Sequence, residues 1–362
     1  MARFSPSRLT LARHRRRLTQ VQLAQLVGVS DRSIRAFEGG DDPAIADETI
    51  DRLAQVLGFP RAFFCAAELE PITEGTASFR ALSKRTAAQR NAVLAAGTLA
   101  MDLTERLETR YRLPPADLPD LREDSPEAAA ATLRTRWGLG ERPIKNMLHL
   151  LEAHGVRVFS LVDDCREIDA FSLWRGGRPY VFVNTSKSAE RGRFDLAHET
   201  AHLVLHQHGA PQGREAETQA DAFGSAFLMP RASVLAHAPR VPSIPVLIQL
   251  KRRWGVSLAA MAYRLHALGV LSDWQYRTIC IQMAELGYRT REPNTIPRET
   301  SQLLRKLFAL MRDDGTTMAD LAREAALPVS EVDGLVRGLA LVSVEGGEAP
   351  AAAHARPRLR LV

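Results

Sequence analysis

Residues 196–205 read Leu-Ala-His-Glu-Thr-Ala-His-Leu-Val-Leu, which predicts a buried helix carrying two histidines and a glutamate. His198 and His202 are four positions apart, so one helix face presents both imidazoles about 6 Å apart, within reach of a single zinc ion. Glu199 lies between them, where its carboxylate can take a proton from water at the metal. The alternative is an amphipathic helix with these groups in solvent. The apolar neighbours disfavour it, because buried polar groups need a partner.

A zinc peptidase site also needs a third protein ligand and one position left open for water. The segment 217–229 predicts a second helix, which ends before Pro230. Glu217 and Asp221 share one face of that helix, because they are four positions apart. One carboxylate can therefore bind the metal while the other accepts a hydrogen bond from the second nitrogen of a ligating histidine.

These motifs resemble the ImmA/IrrE family of bacterial metallopeptidases, which act on repressors in mobile-element and radiation-response control. The resemblance covers about 120–290. The matching runs are His-Glu-x-x-His at 198–202, Glu-x-x-Ala-Asp-x-Phe at 217–223, Phe-Leu-Met-Pro at 227–230, and residues 171–174 and 178–185. The resemblance implies a zincin-like, gluzincin-type domain with one Zn²⁺ per chain. It implies His198, His202 and Glu217 as zinc ligands, Glu199 as the general base, and Asp221 as a hydrogen-bond partner of the ligands.

Other residues near these motifs have weaker assignments. Glu215 competes with Glu217 for the ligand role, and the Ala-Asp-x-Phe register favours Glu217. His206 lies about 12 Å along the helix from His198, too far to share its ion, and we expect it to act as a helix C-terminal cation. The oxyanion-stabilising group stays open, with Tyr180 and Arg193 as candidates. The chain departs from the family's usual residues at 200–201 and 224–225, which are Thr-Ala and Gly-Ser.

Composition limits the remaining possibilities. The chain has 362 residues, of which 45% are hydrophobic, enough for two or three cores. It has no run of eighteen apolar residues and no N-terminal apolar signal core, so we expect no membrane segment and a cytoplasmic location. The three cysteines, Cys65, Cys165 and Cys280, are scattered, as is typical of a reducing compartment. A net charge of +6 permits nucleic-acid binding.

The positive charge is concentrated at the N-terminus. Residues 1–40 contain eight arginines and two acidic residues, whereas residues 41–74 contain eight acidic residues and two arginines. Three short helices are predicted there, over residues 8–17, after a Thr19 cap, and after a Ser30 cap, with Gly28 as the turn; a further helix over 48–57 stops at Gly58. Their apolar residues fit two helices that cross over one small core.

This module resembles the Xre, lambda-repressor-like helix-turn-helix family over roughly 6–65. The matching residues are Leu-Thr-Gln at 18–20, Leu-Ala at 23–24, Gly-Val-Ser at 28–30, Ile34 and Phe-Glu-Gly at 37–39. The resemblance implies that the third helix enters the major groove of double-stranded DNA. Asp31, Arg32 and Ser33 would then face bases, with Ala36, while Gln20 and Arg35 hold phosphates and residues 13–17 add salt-sensitive affinity. One module contacts one half-site, so we expect a homodimer.

The rest of the chain predicts helices around a small sheet. Residues 79–111 predict a connector helix that could pack on the peptidase domain or pair with a second copy; the sequence does not choose. Helices are predicted over 126–137 and 143–154, and strands over 155–159, 169–174 and 179–184, the last two joined as a hairpin at 176–177. The sheet edge could bind an extended substrate or belong simply to the core. Further helices are expected over 244–254, 258–268 and 273–286. The segment after Gly255 and residues 317–339 also show helix-turn-helix patterns, but neither has the clustered arginines of the first module, so we expect ordinary helical packing there.

The sequence therefore predicts a mainly α fold with a small β-sheet, an α+β protein. We expect a helix-turn-helix DNA-binding domain at 1–70, a connector helix at 71–118, a zinc metallopeptidase domain at 119–240, a helical C-terminal domain at 241–344, and a disordered tail at 345–362. The expected function is a DNA-binding transcriptional regulator whose zinc-dependent metalloendopeptidase cleaves a regulatory protein such as a repressor. The alternative is a non-cleaving DNA-binding antitoxin or repressor, whose peptidase-like domain binds a partner protein such as a toxin or senses metal.

Overall fold

The structure, a computed structural model, describes residues 4–41, 45–72, 86–161, 169–207 and 213–340. Helices dominate these ranges, as predicted, and one small sheet lies among them. The helices are α1 (Pro6–Arg15), α2 (Gln20–Val27), α3 (Asp31–Gly39), α4 (Asp47–Leu57), α5 (Arg61–Phe64), α6 (Ala87–Glu108), α7 (Pro126–Arg136), α8 (Met147–Ala153), α9 (Ala189–Leu205), α10 (Arg214–Leu228), α11 (Arg231–Ala236), α12 (Ile244–Trp254), α13 (Leu258–Ala267), α14 (Asp273–Glu285), α15 (Gln302–Asp313), α16 (Met318–Glu324) and α17 (Val329–Val336). The strands are β1 (Arg157–Ser160), β2 (Ala170–Arg175) and β3 (Arg178–Val183).

The N-terminal helices α1–α5 form a compact bundle, which we call the head. Its predicted capping residues are confirmed: the Thr19 side chain accepts from the backbone N–H of Gln22, and Ser30 accepts from that of Ser33. Gly28 ends α2 with φ of +75°, a backbone conformation that favours glycine. These signals set α2 and α3 as two short helices around a tight turn, over a shared apolar core.

The sheet has the strand order β1-β3-β2, with β3 in the centre. β2 pairs antiparallel with β3 through the predicted Gly176–Gly177 hairpin, and β1 pairs parallel with β3. Side chains alternate between the two faces of each strand. On one face, Phe182 stacks between Phe159 and Phe171. The opposite face, with Val181 and Val183, belongs to the core that contains α9 and α10.

Helix α6 covers the aromatic face of the sheet. It occupies the predicted connector, of which residues 73–85 lie outside the described ranges. The sequence predicted one buried apolar side for this helix, but every residue from 92 to 104 is buried, so the helix is enclosed on all sides over this stretch. A Cβ on Gly97 would lie 2.6 Å from Ile72 and 3.5 Å from Phe182, so glycine permits this close contact. Helix α6 therefore packs between α1 and the sheet. This is the first of the two arrangements that the sequence left open, packing on the peptidase domain rather than pairing with a second copy.

Of the C-terminal helices, α12–α14 pack on the core of α9, whereas α15–α17 pack mostly on the core that contains α1 and α6. Two carboxylates connect this region to α8 and α15. Glu299 accepts hydrogen bonds from the backbone N–H groups of Met147 and Leu148 at the start of α8. Glu152 does the same for Gln302 and Leu303 at the start of α15. Each acidic residue therefore satisfies helix N-terminal donors that have no partner within their own helix.

None of the helices in the described ranges is long and apolar enough to cross a membrane. The predicted tail at 345–362 and Cys165 lie outside the described residues, while Cys65 and Cys280 are free thiols.

Candidate functional site

Helix α9 carries the histidine motif along one face. Ser188 caps its start by accepting from the backbone N–H of Arg191. The apolar residues of the predicted motif are buried in the core shared with α10 and the sheet. This packing sets the orientation of α9 about its own axis. The histidine side chains therefore point into the groove between α9 and α10.

The three predicted ligands converge there. The Nε2 atoms of His198 and His202 lie 3.2 Å apart. Glu217 on α10 places Oε2 3.7 Å from Nε2 of His198 and Oε1 3.7 Å from Nε2 of His202. Zinc bonds of about 2.0–2.1 Å in tetrahedral geometry separate neighbouring ligand atoms by about 3.3 Å. The observed distances are within a few tenths of an ångström of that value, so these donors fit a zinc ion.

Asp221 lies one helical turn beyond Glu217 and contacts the other nitrogen of His198. Its Oδ1 is 2.9 Å from Nδ1, so an Nδ1–H donating to this carboxylate leaves Nε2 as the nitrogen that faces the cluster. Burial lowers the pKa of His198, but Asp221, Glu199 and Glu217 outweigh this and raise it above its usual value. Burial lowers the pKa of His202 well below its usual value, which favours the neutral imidazole that metals bind.

Glu199 is only 4% exposed and faces the sheet beside the cluster. The Ser172 hydroxyl donates to its Oε2 at 2.6 Å and also lies 3.3 Å from its backbone oxygen. One turn further along, the indole N–H of Trp174 donates to the carbonyl of Leu203 at 3.0 Å. Alternate residues of β2 therefore attach this edge strand to α9. Sequence reasoning missed Ser172, because a serine in a strand carries no signal of its distant partner.

The two departures from the family pattern have local explanations. A Cβ at position 224 would lie 3.3 Å from the backbone nitrogen of His198, so Gly224 lets α10 approach α9 closely at the ligand. The Thr200 hydroxyl donates to the carbonyl of Leu196 within α9. Neither residue displaces a ligand from the cluster.

Neither oxyanion candidate faces the metal cluster, so that prediction is wrong. Tyr180 is 1% exposed and lies in the core on the α6 side of the sheet. The Arg193 guanidinium donates to Glu299 and to the carbonyl of Ile144. Both residues serve packing instead.

The expectation for His206 is also wrong. Its Nδ1 lies 2.8 Å from Nδ1 of His202, and its Nε2 lies 2.9 Å from Oε1 of Gln219. Burial lowers the pKa of His206, which disfavours the charged form that the expectation required.

The predicted DNA-contacting residues lie on the outer part of α3 and at the start of α2. Arg32 is exposed, and Arg35 is 61% exposed in an ion pair with Asp31 at 2.6 Å. Ser33 and Ser30 share a hydroxyl hydrogen bond at 2.8 Å. The Gln20 amide donates to Glu38 at 2.7 Å.

Arg13 and Arg15 of α1 are buried, contrary to expectation, and Arg16, which follows them, is partly exposed. Arg13 donates to Glu38 at 2.6 Å, and Arg15 and Arg16 both donate to Glu331 of α17. The prediction that residues 13–17 add salt-sensitive affinity is therefore wrong for Arg13 and Arg15, whose charges are paired inside the protein.

Comparisons with known families agree with this two-part arrangement. Residues 7–63 match the family model described as a helix-turn-helix domain, and residues 151–266 match the one described as an IrrE N-terminal-like domain. A search of curated proteins found no match. The chain thus carries an N-terminal Xre-like helix-turn-helix domain followed by an IrrE N-terminal-like domain of the metallopeptidase type. This pair of domains supports a regulator that has a helix-turn-helix DNA-binding domain and a peptidase-like domain.

Proposed function

We propose that the chain is a transcriptional regulator whose IrrE-like domain is a zinc-dependent metalloendopeptidase that cleaves a regulatory protein such as a repressor. The observation that carries the proposal is the convergence of His198, His202 and Glu217, with Glu199 on the same helix. Three protein ligands are the number typical of a catalytic zinc site, which keeps one position open. One Zn²⁺ per chain is expected.

The side chains have distinct roles in the proposed reaction. A zinc ion bound there supplies a Lewis acid that polarises a peptide carbonyl and lowers the pKa of water. Glu199 accepts the proton of the attacking water and passes it to the leaving amine. The Ser172 hydroxyl donates to one oxygen of the Glu199 carboxylate, so the orientation of this carboxylate does not depend on the substrate. Asp221 orients His198 through Nδ1.

An extended segment of a protein is the substrate best suited to this groove. β2 is an edge strand of the sheet in the described part of the chain, and it is attached to α9 beside Glu199. A polypeptide that adds to this edge as a further strand would pass next to Glu199. Main-chain hydrogen bonds would then supply binding, and side-chain pockets would supply specificity.

For the head, we propose that α3 enters the major groove of an operator. Arg32 would read guanine, Asp31 would accept from cytosine, and Ser33 would face the bases. Gln20 and Arg35 would hold phosphates. Asp31 and Arg35 pair with each other at the surface, and such exposed pairs contribute less than about 1 kcal/mol, so DNA can replace this contact. A homodimer would contact two half-sites.

The domain limits also remain proposals: a head at 1–70, a connector at 71–118, a peptidase domain at 119–240, a helical region at 241–344 and a tail at 345–362. The IrrE-like match continues to residue 266, and Trp254 and Met261 lie in the same core as α9. Helices α12 and α13 therefore pack on the same core as the metal-cluster helix α9, although they follow the proposed domain limit at residue 240.

The first test is metal binding. We expect elemental analysis of the purified protein to find about one zinc per chain, and the Glu217→Gln variant to lose it. Glu215→Gln is the matched control, because Glu215 is exposed two positions earlier and lies outside the cluster. Equal zinc content in both variants, or none in the unaltered protein, contradicts the ligand assignment.

The second test is cleavage. Cells expressing the unaltered protein or Glu199→Gln would be compared by profiling new protein N-termini. We expect the variant to keep its zinc and lose every cleavage product that depends on the unaltered protein. If Glu199→Gln regulates its target genes as the unaltered protein does, the alternative stands: a DNA-binding antitoxin or repressor whose peptidase-like domain holds a partner or senses metal.

A further inference from the structure

His206 links the metal cluster to a neutral side chain on the neighbouring helix. It is the residue that ends α9, and its ring centroid lies 4.9 Å from that of His202. Its Nδ1 faces Nδ1 of His202 at 2.8 Å, while its Nε2 faces Oε1 of Gln219 at 2.9 Å. The path from His202 through His206 to Gln219 thus joins α9 and α10 beside the metal cluster.

Two nitrogens that face each other at hydrogen-bond distance require one donor and one acceptor. In one arrangement, the Gln219 oxygen accepts from Nε2–H of His206, whose bare Nδ1 then accepts from Nδ1–H of His202. Reversing the Gln219 amide reverses every donor, and His202 then carries its proton on Nε2. Only the first arrangement leaves a lone pair on Nε2 of His202, directed at the cluster.

We infer that His206 and Gln219 are positioning residues that hold His202 in the Nδ1-protonated form and so prepare its Nε2 for the metal. This inference rests on the proposed zinc site. His198 obtains the same proton placement from the Asp221 carboxylate, which is 60% exposed. The two ligands therefore have different supports: a charged one at the surface, and a neutral two-residue one in a more buried position.

The neutral support has a physical advantage where it lies. The side chain of His202 is 7% exposed, and the Glu199 and Glu217 carboxylates already lie at the cluster, so a further buried carboxylate there would need a counter-charge. An imidazole that ends its own hydrogen-bond chain on an amide oxygen orients the ring without adding charge. The cluster therefore keeps Glu217 as its one negatively charged ligand among these three side chains.

Zinc affinity of matched variants tests the role of His206. Competition with a chelator would be measured for the full-length protein and for His206→Leu, His206→Gln, Gln219→Leu and Gln219→Glu. We expect His206→Leu to weaken zinc binding about 10–100-fold, in the range usual for loss of a partner of a ligating histidine. His206→Gln keeps an acceptor oxygen and should recover most of the affinity. Gln219→Glu should bind zinc at least as well as Gln219→Leu, because a carboxylate only accepts.

A histidine in a similar local position is the control. His237 also ends a helix, and its Nδ1 bonds a carbonyl of its own helix at 2.8 Å, so His237→Leu should leave zinc affinity unchanged. Thermal unfolding of the metal-free variants separates a loss of affinity from a loss of folding. Unchanged zinc affinity in His206→Leu overturns the inference and leaves the zinc site intact. Absence of zinc from the unaltered protein removes the proposed function itself.

Nitrogen NMR of the zinc-loaded, unaltered protein reports directly which ring nitrogen of each histidine is protonated, so this test does not depend on whether a variant folds. With labelled histidine, we expect protonated Nδ1 in His202 and protonated Nε2 in His206. Protonation of His206 on Nδ1 contradicts the inference, whatever the affinities of the variants.

Discussion

The Glu331 carboxylate accepts a hydrogen bond from Arg15 at 2.8 Å, although 316 positions separate the two residues. Their side chains are 6% and 5% exposed, and Arg16 donates to the other carboxylate oxygen at 2.6 Å. Burial raises the pKa of Glu331, but the two arginines outweigh it and hold the pKa below its usual value. A helix near the C-terminal end of the described chain therefore holds the first helix of the head.

Removal of this carboxylate should destabilise the protein. We expect Glu331→Gln to lower the free energy of unfolding by about 3–5 kcal/mol, because it leaves buried arginine charge without its partner. Denaturant unfolding measures this loss, and hydrogen exchange should locate it in α1. Asp31→Asn removes a carboxylate from an exposed ion pair and should change stability by less than about 1 kcal/mol. An equal loss of unfolding free energy in the two variants would contradict a stabilising role for the contact between Glu331 and the two arginines.

The stability of the head should fall in mild acid through His14. Burial and the charge of Arg13 lower the pKa of His14 to about 4, whereas the unfolded chain has the ordinary value of 6.5. Between these two pH values the unfolded state binds more protons, so stability is fully present above 6.5 and is lost as the pH falls toward 4. The loss should reach up to about 2 kcal/mol by pH 5. Urea unfolding of the full-length protein at pH 7.5 and 5, followed by hydrogen exchange in α1, measures it, and His14→Gln should remove most of the difference in α1.

DNA binding should depend on α3 more than on the basic first helix. With an operator selected from random sequences, we expect Arg32→Ala to lose about 1–3 kcal/mol of specific binding and to relax the preference at one base. Arg35→Ala should weaken all sequences similarly and reduce the slope of log affinity against log salt by about 1. Arg312→Ala, at the end of α15, is the distant control. A salt slope unchanged by Arg35→Ala would contradict its phosphate role.

Ser172 should affect catalysis rather than metal binding. We expect Ser172→Ala to slow cleavage about 10–100-fold, because a hydrogen bond to a charged group contributes about 1.5–3 kcal/mol. Zinc content should stay at that of the unaltered protein, since the Ser172 hydroxyl bonds the carboxylate of Glu199, which is not one of the three ligands. Ser160→Ala in β1 is the control, because its hydroxyl bonds Thr185 instead. Loss of zinc in Ser172→Ala would assign the serine to folding of the site.

Much of the fold followed from patterns within short stretches of sequence. Thr19, Gly28 and Ser30 predicted where α2 and α3 begin and end, because capping and left-handed turns are chemistry between neighbours. The spacing of His198 and His202 put both rings on one face for the same reason. Glu217 needed a resemblance to a known family, since no local rule brings α10 to α9.

What the sequence alone determined is most of the helices, the hairpin and the residue types suited to hold zinc; it predicted no range for α5, α11 or α15. Tertiary structure decided the partners: Arg15 with Glu331, Ser172 with Glu199, His206 with Gln219, and α6 with the sheet. The physical reason is that periodicity says which side of an element is buried, whereas a polar partner is chosen by packing between distant segments. A buried arginine and a phosphate-binding arginine therefore look the same in sequence until the chain has folded around one of them.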